Sequence, residues 1–195
     1  MKMAGIPFKE TQVWIRKPDS LDKIRKFSPG GRVPVLLDGK VKVWESVAIC
    51  EYLHEKFPKK NLWPKDVKVR AQASSVSHEM HAGFMSMRTS MPCHFINRYS
   101  DFTFTEEAKA DMARIQEIWN DCRKKYSKGG PFLFGKFSIA DAMYAPVVFR
   151  FLAYGAQAGK ISKAYMDTIE SLPASREWVR SARQEKEIIP VYERV

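Results

Sequence analysis

The sequence predicts two structural units, a small mixed α/β unit followed by a bundle of α-helices. Residues 1–57 alternate β-rich stretches with short helical ones and contain a hairpin signal, Asp38-Gly39. A segment with two prolines follows at 58–65, and beyond it apolar residues recur at helical spacing. We therefore predict one domain at 1–57, a linker at 58–65 and an all-α domain at 66–195.

The composition limits the class of protein. The 195 residues carry a net charge of +11, but the lysines are spread along the chain, so we interpret the charge as a solvated surface rather than a nucleic-acid site. No apolar run approaches the length of a membrane span, and the N-terminus has no secretory signal pattern. The three cysteines lie far apart, which fits a reducing compartment. We expect a cytoplasmic protein that binds neither nucleic acid nor membrane, and whose positive field attracts small anionic ligands.

The first unit begins with what the sequence predicts to be the end of a helix. Gly5 is typical of a helix C-cap and Pro7 of the stop after it, so residues 1–4 are predicted to be the last helical turn. The β-forming residues of 8–15 predict a strand. A short helix is expected from Pro18 to about residue 27.

A hairpin and a helix follow. Residues 33–37 and 40–44 are predicted strands on either side of the Asp38-Gly39 turn. Ser46 is predicted to cap the next helix, in which apolar residues recur every four positions.

The second unit is predicted to contain five helices. Each shows an apolar stripe at helical spacing and is bounded by proline, glycine or a capping residue. Their predicted ranges are 66–91, 105–126, 138–154, 162–171 and 174–184.

Two features of the first unit suggest a ligand site. Pro34 removes a ladder hydrogen bond, and a cis Val33–Pro34 bond would turn the backbone of Val33 outward to pair with an extended ligand; an ordinary trans edge proline is the alternative. Glu45 and Ser46 stand at a helix start, where backbone N–H groups stabilise a carboxylate and Glu45 offers an acceptor for an ammonium group. Simple helix capping by Ser46 is the alternative here.

Together the two stretches, Arg32-Val33-Pro34-Val35-Leu36 and Glu45-Ser46-Val47-Ala48-Ile49, resemble the glutathione-binding half of the glutathione S-transferase superfamily. The resemblance implies a thioredoxin-like N-terminal domain in which Val33 and Pro34 hold the cysteinyl part of glutathione. It implies that Glu45 takes the ammonium group and Ser46 the α-carboxylate of the γ-glutamyl end. Arg32 matches a position at which relatives place a lysine near the glycyl carboxylate.

The second half carries a second motif of the family. Gly135-Lys136-Phe137-Ser138-Ile139-Ala140-Asp141 resembles the family's buried capping box. In it Ser138 caps the helix and Asp141 reaches back, a structural role rather than a catalytic one.

The resemblance also suggests where the second substrate binds. It implies that the helix starting near residue 66 lines an electrophile pocket and a dimer interface, with Met80, Phe84, Met87 and Arg88 at the pocket. Plain bundle core is the alternative for the three apolar residues. His78, His81, Cys93 and His94 could be imagined as metal ligands, but their spacing matches no metal motif, so we expect no metal.

The chain departs from the family pattern at its start. Members of the superfamily begin with a strand and a helix, and that strand ends in the Ser, Tyr or Cys that acts on the sulfur of glutathione. Here we expect the first strand and this residue to be absent, which leaves the catalytic residue unknown. Met1 could be an internal methionine of a longer chain, upstream residues could be absent from the sequence, or the protein could have lost them.

The resulting functional hypothesis is a homodimeric, cytoplasmic glutathione S-transferase that uses glutathione as co-substrate to conjugate or isomerise a small electrophile. The alternative is a non-catalytic binding or interaction module that keeps the fold and lacks the thiol-activating residue.

Overall fold

The computed structural model describes residues 1–99 and 101–193, and the chain divides into two units, Met1–Leu62 and Trp63–Val195. Among the described residues, the first unit contains two 3₁₀ turns, two strands and two α-helices, and the second contains six α-helices. None of the helices in the described residues is long and apolar enough to cross a membrane. The elements of the first unit are the 3₁₀ turn Lys2–Ala4, α1 (Ser20–Arg25), β1 (Val35–Asp38), β2 (Val41–Trp44), α2 (Ser46–Lys56) and a second 3₁₀ turn, Pro58–Lys60.

An antiparallel hairpin forms the centre of the first unit. Val35 lies opposite Trp44 and Asp38 opposite Val41, so the two-residue turn is Gly39-Lys40, one position later than predicted. Gly39 has a φ of 58°, a backbone conformation that glycine adopts at low cost. The turn shifts because Asp38 pairs as the last residue of β1.

Helix α2 packs against this hairpin and is joined to it by a polar contact. The Tyr52 hydroxyl donates to Asp38 Oδ2 at 2.5 Å, and the Lys56 ammonium group forms an ion pair with the same carboxylate. The end of β1 is thereby attached to the last two turns of α2.

The predicted strand at 8–15 is wrong, since the described residues contain only the two strands of the hairpin. A strand needs a neighbour to accept and donate its backbone hydrogen bonds, and no strand runs beside this segment in the described part of the chain. Phe8 and Trp14 are 44% and 40% exposed, so the β-forming side chains gain little burial. The predicted C-cap is confirmed, because Gly5 has a left-handed conformation and its N–H bonds to Lys2 O.

The core of the second unit contains aromatic side chains from three helices, α5 (Glu106–Tyr126), α6 (Ile139–Ala153) and α7 (Lys160–Ser171). There Trp119 packs 5.2 Å from the rings of both Phe151 and Tyr165. All three side chains are fully buried. The α-helices of this unit are α3 (Val67–Ala82), α4 (Met85–Ser90), α5 (Glu106–Tyr126), α6 (Ile139–Ala153), α7 (Lys160–Ser171) and α8 (Pro173–Ala182).

The single helix predicted for 66–91 is interrupted. Phe84 has a φ of 58°, in the left-handed region, and separates α3 from α4. Arg88 Nη1 donates to the carbonyls of His81 and Gly83, at 3.0 and 3.3 Å, and so satisfies groups at the end of α3. Asp111 of α5 accepts from the amide of Met87 at 2.9 Å and fixes the start of α4. These tertiary contacts compensate for the break that helical periodicity alone does not predict.

Asp141 joins three segments of the second unit. Its Oδ2 accepts from the amide and hydroxyl of Ser138, the N-cap of α6, at 2.9 and 3.1 Å. Its Oδ1 accepts from the Leu133 amide at 3.0 Å and from the Tyr165 hydroxyl at 3.2 Å. The carboxyl group is fully buried, and this burial raises the pKa of Asp141 to about 6 although the four donors act in the opposite direction.

Candidate functional site

The two stretches singled out in the sequence meet at one end of the hairpin. Val35 and Trp44 form the last pair of the ladder, and the residues next beyond them are Pro34 on one strand and Glu45 on the other. The proline therefore lies just before β1 rather than inside it as predicted. The segment entering β1 and the segment leaving β2 bound a single surface region.

The segment that enters β1 presents an unpaired backbone. The Val33–Pro34 peptide bond is cis, and the Val33 side chain is 52% exposed. Within residues 1–99 and 101–193, neither the amide nor the carbonyl of Val33 has a hydrogen-bond partner. An extended ligand can pair with these two groups as a neighbouring strand would.

The loop before this segment is held by Ser28. Its hydroxyl is fully buried and accepts a hydrogen bond from the Arg32 amide at 3.2 Å, while its own amide donates to Ile24 O. The contacts of Ser28 therefore stabilise the conformation of this loop. Sequence analysis missed this contact, for which a serine before a proline is only a weak signal.

The segment that leaves β2 carries a strained residue. Glu45 is the N-cap of α2 and has φ 70° and ψ 130°, outside the regions that non-glycine residues favour. Such outliers concentrate at ligand sites, where the surrounding structure holds them. Nothing in the sequence signals this conformation.

Ser46 does not cap the helix as predicted. It is the first residue of α2, is half-buried, and no side chain forms the cap hydrogen bond there. The preceding turn places Glu45 at the N-cap, so the amides of the first helical turn are left without a side-chain acceptor from the cap. This helix start carries partial positive charge and can stabilise a carboxylate.

A basic group lies at the same end of the hairpin, because Arg32 is exposed one residue before Val33. Lys42 of β2 is opposite Leu37, nearer the turn, and donates to the Lys26 carbonyl at 3.4 Å. The region combines an acceptor at Glu45, donors at the start of α2 and a cation at Arg32. This arrangement suits a peptide-like ligand with an ammonium group and more than one carboxylate.

The four residues predicted for an electrophile pocket lie in the second unit. Met80, Phe84 and Met87 are 5%, 8% and 0% exposed and belong to the apolar core, the alternative stated for them above. Arg88 is half-buried and bonded to the end of α3. Their contact with an electrophile stays a prediction.

The imagined metal ligands have other partners. His78 Nδ1 lies 2.9 Å from Ser74 O, His94 Nε2 lies 2.9 Å from Tyr192 O, and the Cys93 thiol donates to Pro146 O at 3.5 Å. Burial raises the pKa of Cys93, although the nearby Arg150 opposes the shift. No group of three His, Cys, Asp or Glu side chains arranged to hold a metal ion occurs among the residues that the structure describes.

Comparison with known proteins gives matches to both units. Residues 1–56 match the family model "Glutathione S-transferase, N-terminal domain", and residues 105–181 match "Glutathione S-transferase, C-terminal domain". Glutathione S-transferase Z2 of Arabidopsis thaliana is 36% identical over 158 residues, which cover 76% of this chain and 67% of the relative. The stringent starvation protein A homolog of Haemophilus ducreyi is 24% identical over 170 residues, covering 85% and 74%.

A solved structure shares the fold. A glutathione transferase homologue from Burkholderia with bound glutathione aligns with a TM-score of 0.69 and 22% identity, covering 94% of this chain and 88% of that one. The predicted fold class, a thioredoxin-like N-terminal domain followed by a helical domain, is confirmed.

Proposed function

Because the chain belongs to the glutathione S-transferase superfamily, we propose that its first unit binds glutathione at the end of the hairpin and that the protein conjugates or isomerises a small electrophile. The single observation that supports this most is the placement of Glu45 and Val33. Glu45, a strained acceptor at a helix start, is one residue beyond the last ladder pair. On the other strand Val33 is two residues beyond that pair; it is exposed, and its backbone has no hydrogen-bond partner among the described residues.

Each part of glutathione then has a matching group. The amide and carbonyl of Val33 pair with the cysteinyl backbone, as in strand addition. Glu45 accepts from the γ-glutamyl ammonium group, and Ser46 with the first amides of α2 binds the α-carboxylate. Arg32 attracts the glycyl carboxylate. In this proposal 1–57 is the glutathione domain, 58–65 the linker, and 66–195 supplies the contacts to the electrophile.

The chemistry requires the thiolate of glutathione. A thiol with a pKa near ~8.5 is mostly protonated at neutral pH, so a donor that stabilises the thiolate raises the concentration of the attacking form. Binding also holds the sulfur against the electrophile, which converts a bimolecular reaction into an intramolecular one. No metal takes part in this proposal.

A second function, binding of glutathione without conjugation, has one observation in its favour. Ser28 is the hydroxyl nearest in sequence to Val33, and it is buried and engaged with the Arg32 amide. In the contact with Arg32 the hydroxyl is only an acceptor, so it is the complete burial of Ser28 that keeps its O–H from a sulfur atom of a bound ligand.

Calorimetric titration with glutathione tests the binding proposal. We expect Glu45→Ala to weaken binding at least about tenfold, because a hydrogen bond to a charged group contributes roughly 1.5–3 kcal/mol. Ser46→Ala should weaken it less. Glu55→Ala, an exposed glutamate at the other end of α2, is the matched control and should bind as the wild type does. Equal losses in the Glu45 and Glu55 variants, or no binding by the wild type, would refute the site.

Turnover of an aryl halide with glutathione separates the two functions. Product formation that Glu45→Ala reduces supports the transferase, and binding without product supports the non-catalytic module. We also propose that the protein acts as a homodimer in the cytoplasm. Sedimentation equilibrium at micromolar concentration should give twice the chain mass of 22.5 kDa.

A further inference from the structure

Lysines that are far apart in the sequence meet at one end of the second unit. Lys125, in the last turn of α5, donates through Nζ to Gln72 Oε1 of α3 at 3.2 Å, and the Tyr126 hydroxyl donates to the same oxygen at 2.8 Å. Lys68 lies one turn before Gln72 on α3, so its side chain is on the same face of that helix. The contact at Gln72 therefore places Lys68 close to Lys125.

Two further lysines continue this surface around the end of α5. Lys124 precedes Lys125, and Lys128 lies in the 3₁₀ turn that follows the helix. Lys128 comes four residues after Lys124 and three after Lys125. Residues at these spacings are neighbours on a helical surface, so Lys128 lies beside both.

A contact between two backbone segments adds a fifth lysine. A Cβ atom at Gly129 would lie 3.2 Å from Gly135 Cα, so the two glycines are in direct contact. Lys128 precedes the first glycine and Lys136 follows the second, which brings these two lysines together. We call five exposed residues the lysine patch: Lys68, Lys124, Lys125, Lys128 and Lys136.

The lysine patch has an excess of positive charge. Among the described residues, no carboxylate lies at ion-pair distance from any of its five ammonium groups. Asp66 is used as the N-cap of α3, where it accepts from the amides of Lys68 and Val69. Asp121 is exposed one turn before Lys125. These two acids in the flanking turns do not balance five cations.

Helix dipoles explain only part of the lysine patch. Basic residues at the end of α5 interact favourably with the negative pole of that helix. Lys68, however, is in the first turn of α3, where a cation is unfavourable, and Lys136 lies between α5 and α6, outside both helices. Like charges three or four residues apart also destabilise a helix end. An anion bound among these lysines would therefore stabilise the folded unit.

The side chains around the patch indicate which anion fits. Lysine binds phosphate as a point charge, whereas the planar fork of arginine matches a carboxylate best. Arg123, which precedes Lys124, uses its Nη1 on the carbonyls of Gly130 and Phe132. The ring of Tyr126 is half-buried, so it offers a nucleic-acid base little surface for stacking. A chain of phosphates without bases fits these features better than a carboxylate or single-stranded nucleic acid does.

We propose that the lysine patch binds inorganic polyphosphate, a linear chain of phosphates. Its cations come from α3, from the end of α5 and from the segment before α6, so a ligand must carry several charges in a row to reach them all. A single phosphate ion can contact only part of the patch. The site lies in the second unit and uses no residue of the proposed glutathione site.

Calorimetric titration with long-chain inorganic polyphosphate tests the proposal. The wild type should bind polyphosphate more tightly than orthophosphate at equal phosphate concentration, and salt should weaken the binding because the contacts are electrostatic. The triple variant Lys124→Gln, Lys128→Gln, Lys136→Gln should bind polyphosphate about tenfold more weakly, and its affinity should depend less steeply on salt concentration. Absence of binding by the wild type, or equal affinity for orthophosphate, would overturn the site.

A second triple variant is the matched control. Lys160→Gln, Arg176→Gln and Lys186→Gln remove the same net charge from exposed side chains outside the lysine patch. This variant should bind polyphosphate within about twofold of the wild type, because salt screens charges that do not touch the ligand. Equal weakening in the two triple variants would assign the binding to net charge alone and would refute the patch.

The single variant Lys68→Gln tests whether α3 contributes. We expect it to weaken polyphosphate binding about threefold, as the loss of one exposed charge contact does. An unchanged affinity would contradict the placement of Lys68 in the patch. Tighter binding of a single-stranded DNA oligonucleotide or of polyglutamate than of polyphosphate would overturn the choice of ligand.

This proposal and the glutathione function fail separately. The triple variant of the patch should bind glutathione as the wild type does, and Glu45→Ala should bind polyphosphate as the wild type does. Polyphosphate binding by a protein that does not bind glutathione would leave the lysine patch intact and remove the transferase. Loss of polyphosphate binding in Glu45→Ala would show a shared site and refute a separate patch.

Discussion

Replacing Asp141 by alanine should be the most damaging single change in the second unit. The carboxyl group is fully buried and accepts four hydrogen bonds, from Leu133, Tyr165 and twice from Ser138. The hydroxyls of Ser138 and Tyr165 can rotate toward other acceptors, but the amides of Leu133 and Ser138 cannot. Each amide left without a partner in the interior costs about 1–3 kcal/mol. We therefore expect Asp141→Ala to lower the free energy of unfolding by about 4 kcal/mol.

Asparagine at the same position gives a graded result. Its one carbonyl oxygen can serve the donors on one side of the carboxyl group, while its NH₂ group faces donors on the other. Asp141→Asn should lower the free energy of unfolding by about half as much as Asp141→Ala does. Urea denaturation followed by far-UV circular dichroism measures both, because the second unit contains most of the helix.

Asp167→Ala is the control for this series. Asp167 is an exposed aspartate on α7, and its removal should change the free energy of unfolding by less than ~0.5 kcal/mol. A loss below ~1 kcal/mol in Asp141→Ala would show that the buried donors find other partners, and the argument from unsatisfied amides would be refuted.

Three further predictions follow from single observations. Burial raises the pKa of Asp141 to about 6 from 3.8 in the unfolded chain, so between these values the folded state holds a proton that the unfolded state has released. The free energy of unfolding should therefore fall by up to ~3 kcal/mol as pH rises from about 4 to about 6. A plot of this free energy against pH that runs parallel for the wild type and Asp141→Asn would contradict the prediction. Gly135→Ala should lower the free energy of unfolding by more than ~2 kcal/mol, because φ is 82° at this position and the new methyl group would lie 2.8 Å from Gly129 Cα. Gly30 has open space around it, so Gly30→Ala should change the free energy of unfolding little in the same urea experiment. Burial raises the pKa of all three cysteines, that of Cys122 to about 12. A disulfide reagent at pH 8 should therefore modify the thiols much faster in urea than in the native protein. Rapid reaction of all three cysteines in the native protein would show that the thiols are accessible and would contradict the prediction.

Local sequence signals predicted much of the second unit. Ser138 caps α6 as predicted, and Thr105 caps α5 near the predicted start of that helix. A capping residue acts on the amides of its own first turn and needs no distant partner. The break at Phe84 could not be predicted in this way. It is stabilised by Asp111 and by Arg88 contacts that form only when the chain is folded.

Part of the candidate site could likewise be predicted from local pattern and part could not. The pattern around Pro34 and Glu45 predicted a ligand site, which stays a prediction, and the structure brings these two segments to one end of the hairpin. The positive φ of Glu45 and the Ser28–Arg32 contact depend on how the hairpin is connected to the rest of the first unit, and the residue types alone do not specify this. The strand expected at 8–15 failed for a related reason, because β-propensity without a pairing partner does not make a strand.

The small hairpin of the first unit has a consequence for its motions. Two strands without further partners are only marginally stable in water, and among the described residues few apolar side chains of this unit are fully covered: Ile6, Ile24, Val47 and Leu53. Amide protons here should therefore exchange with solvent sooner than those of α5 and α6, through brief local opening. A ligand that binds this end of the hairpin would slow that exchange, because binding to the folded form opposes local opening and so stabilises the first unit.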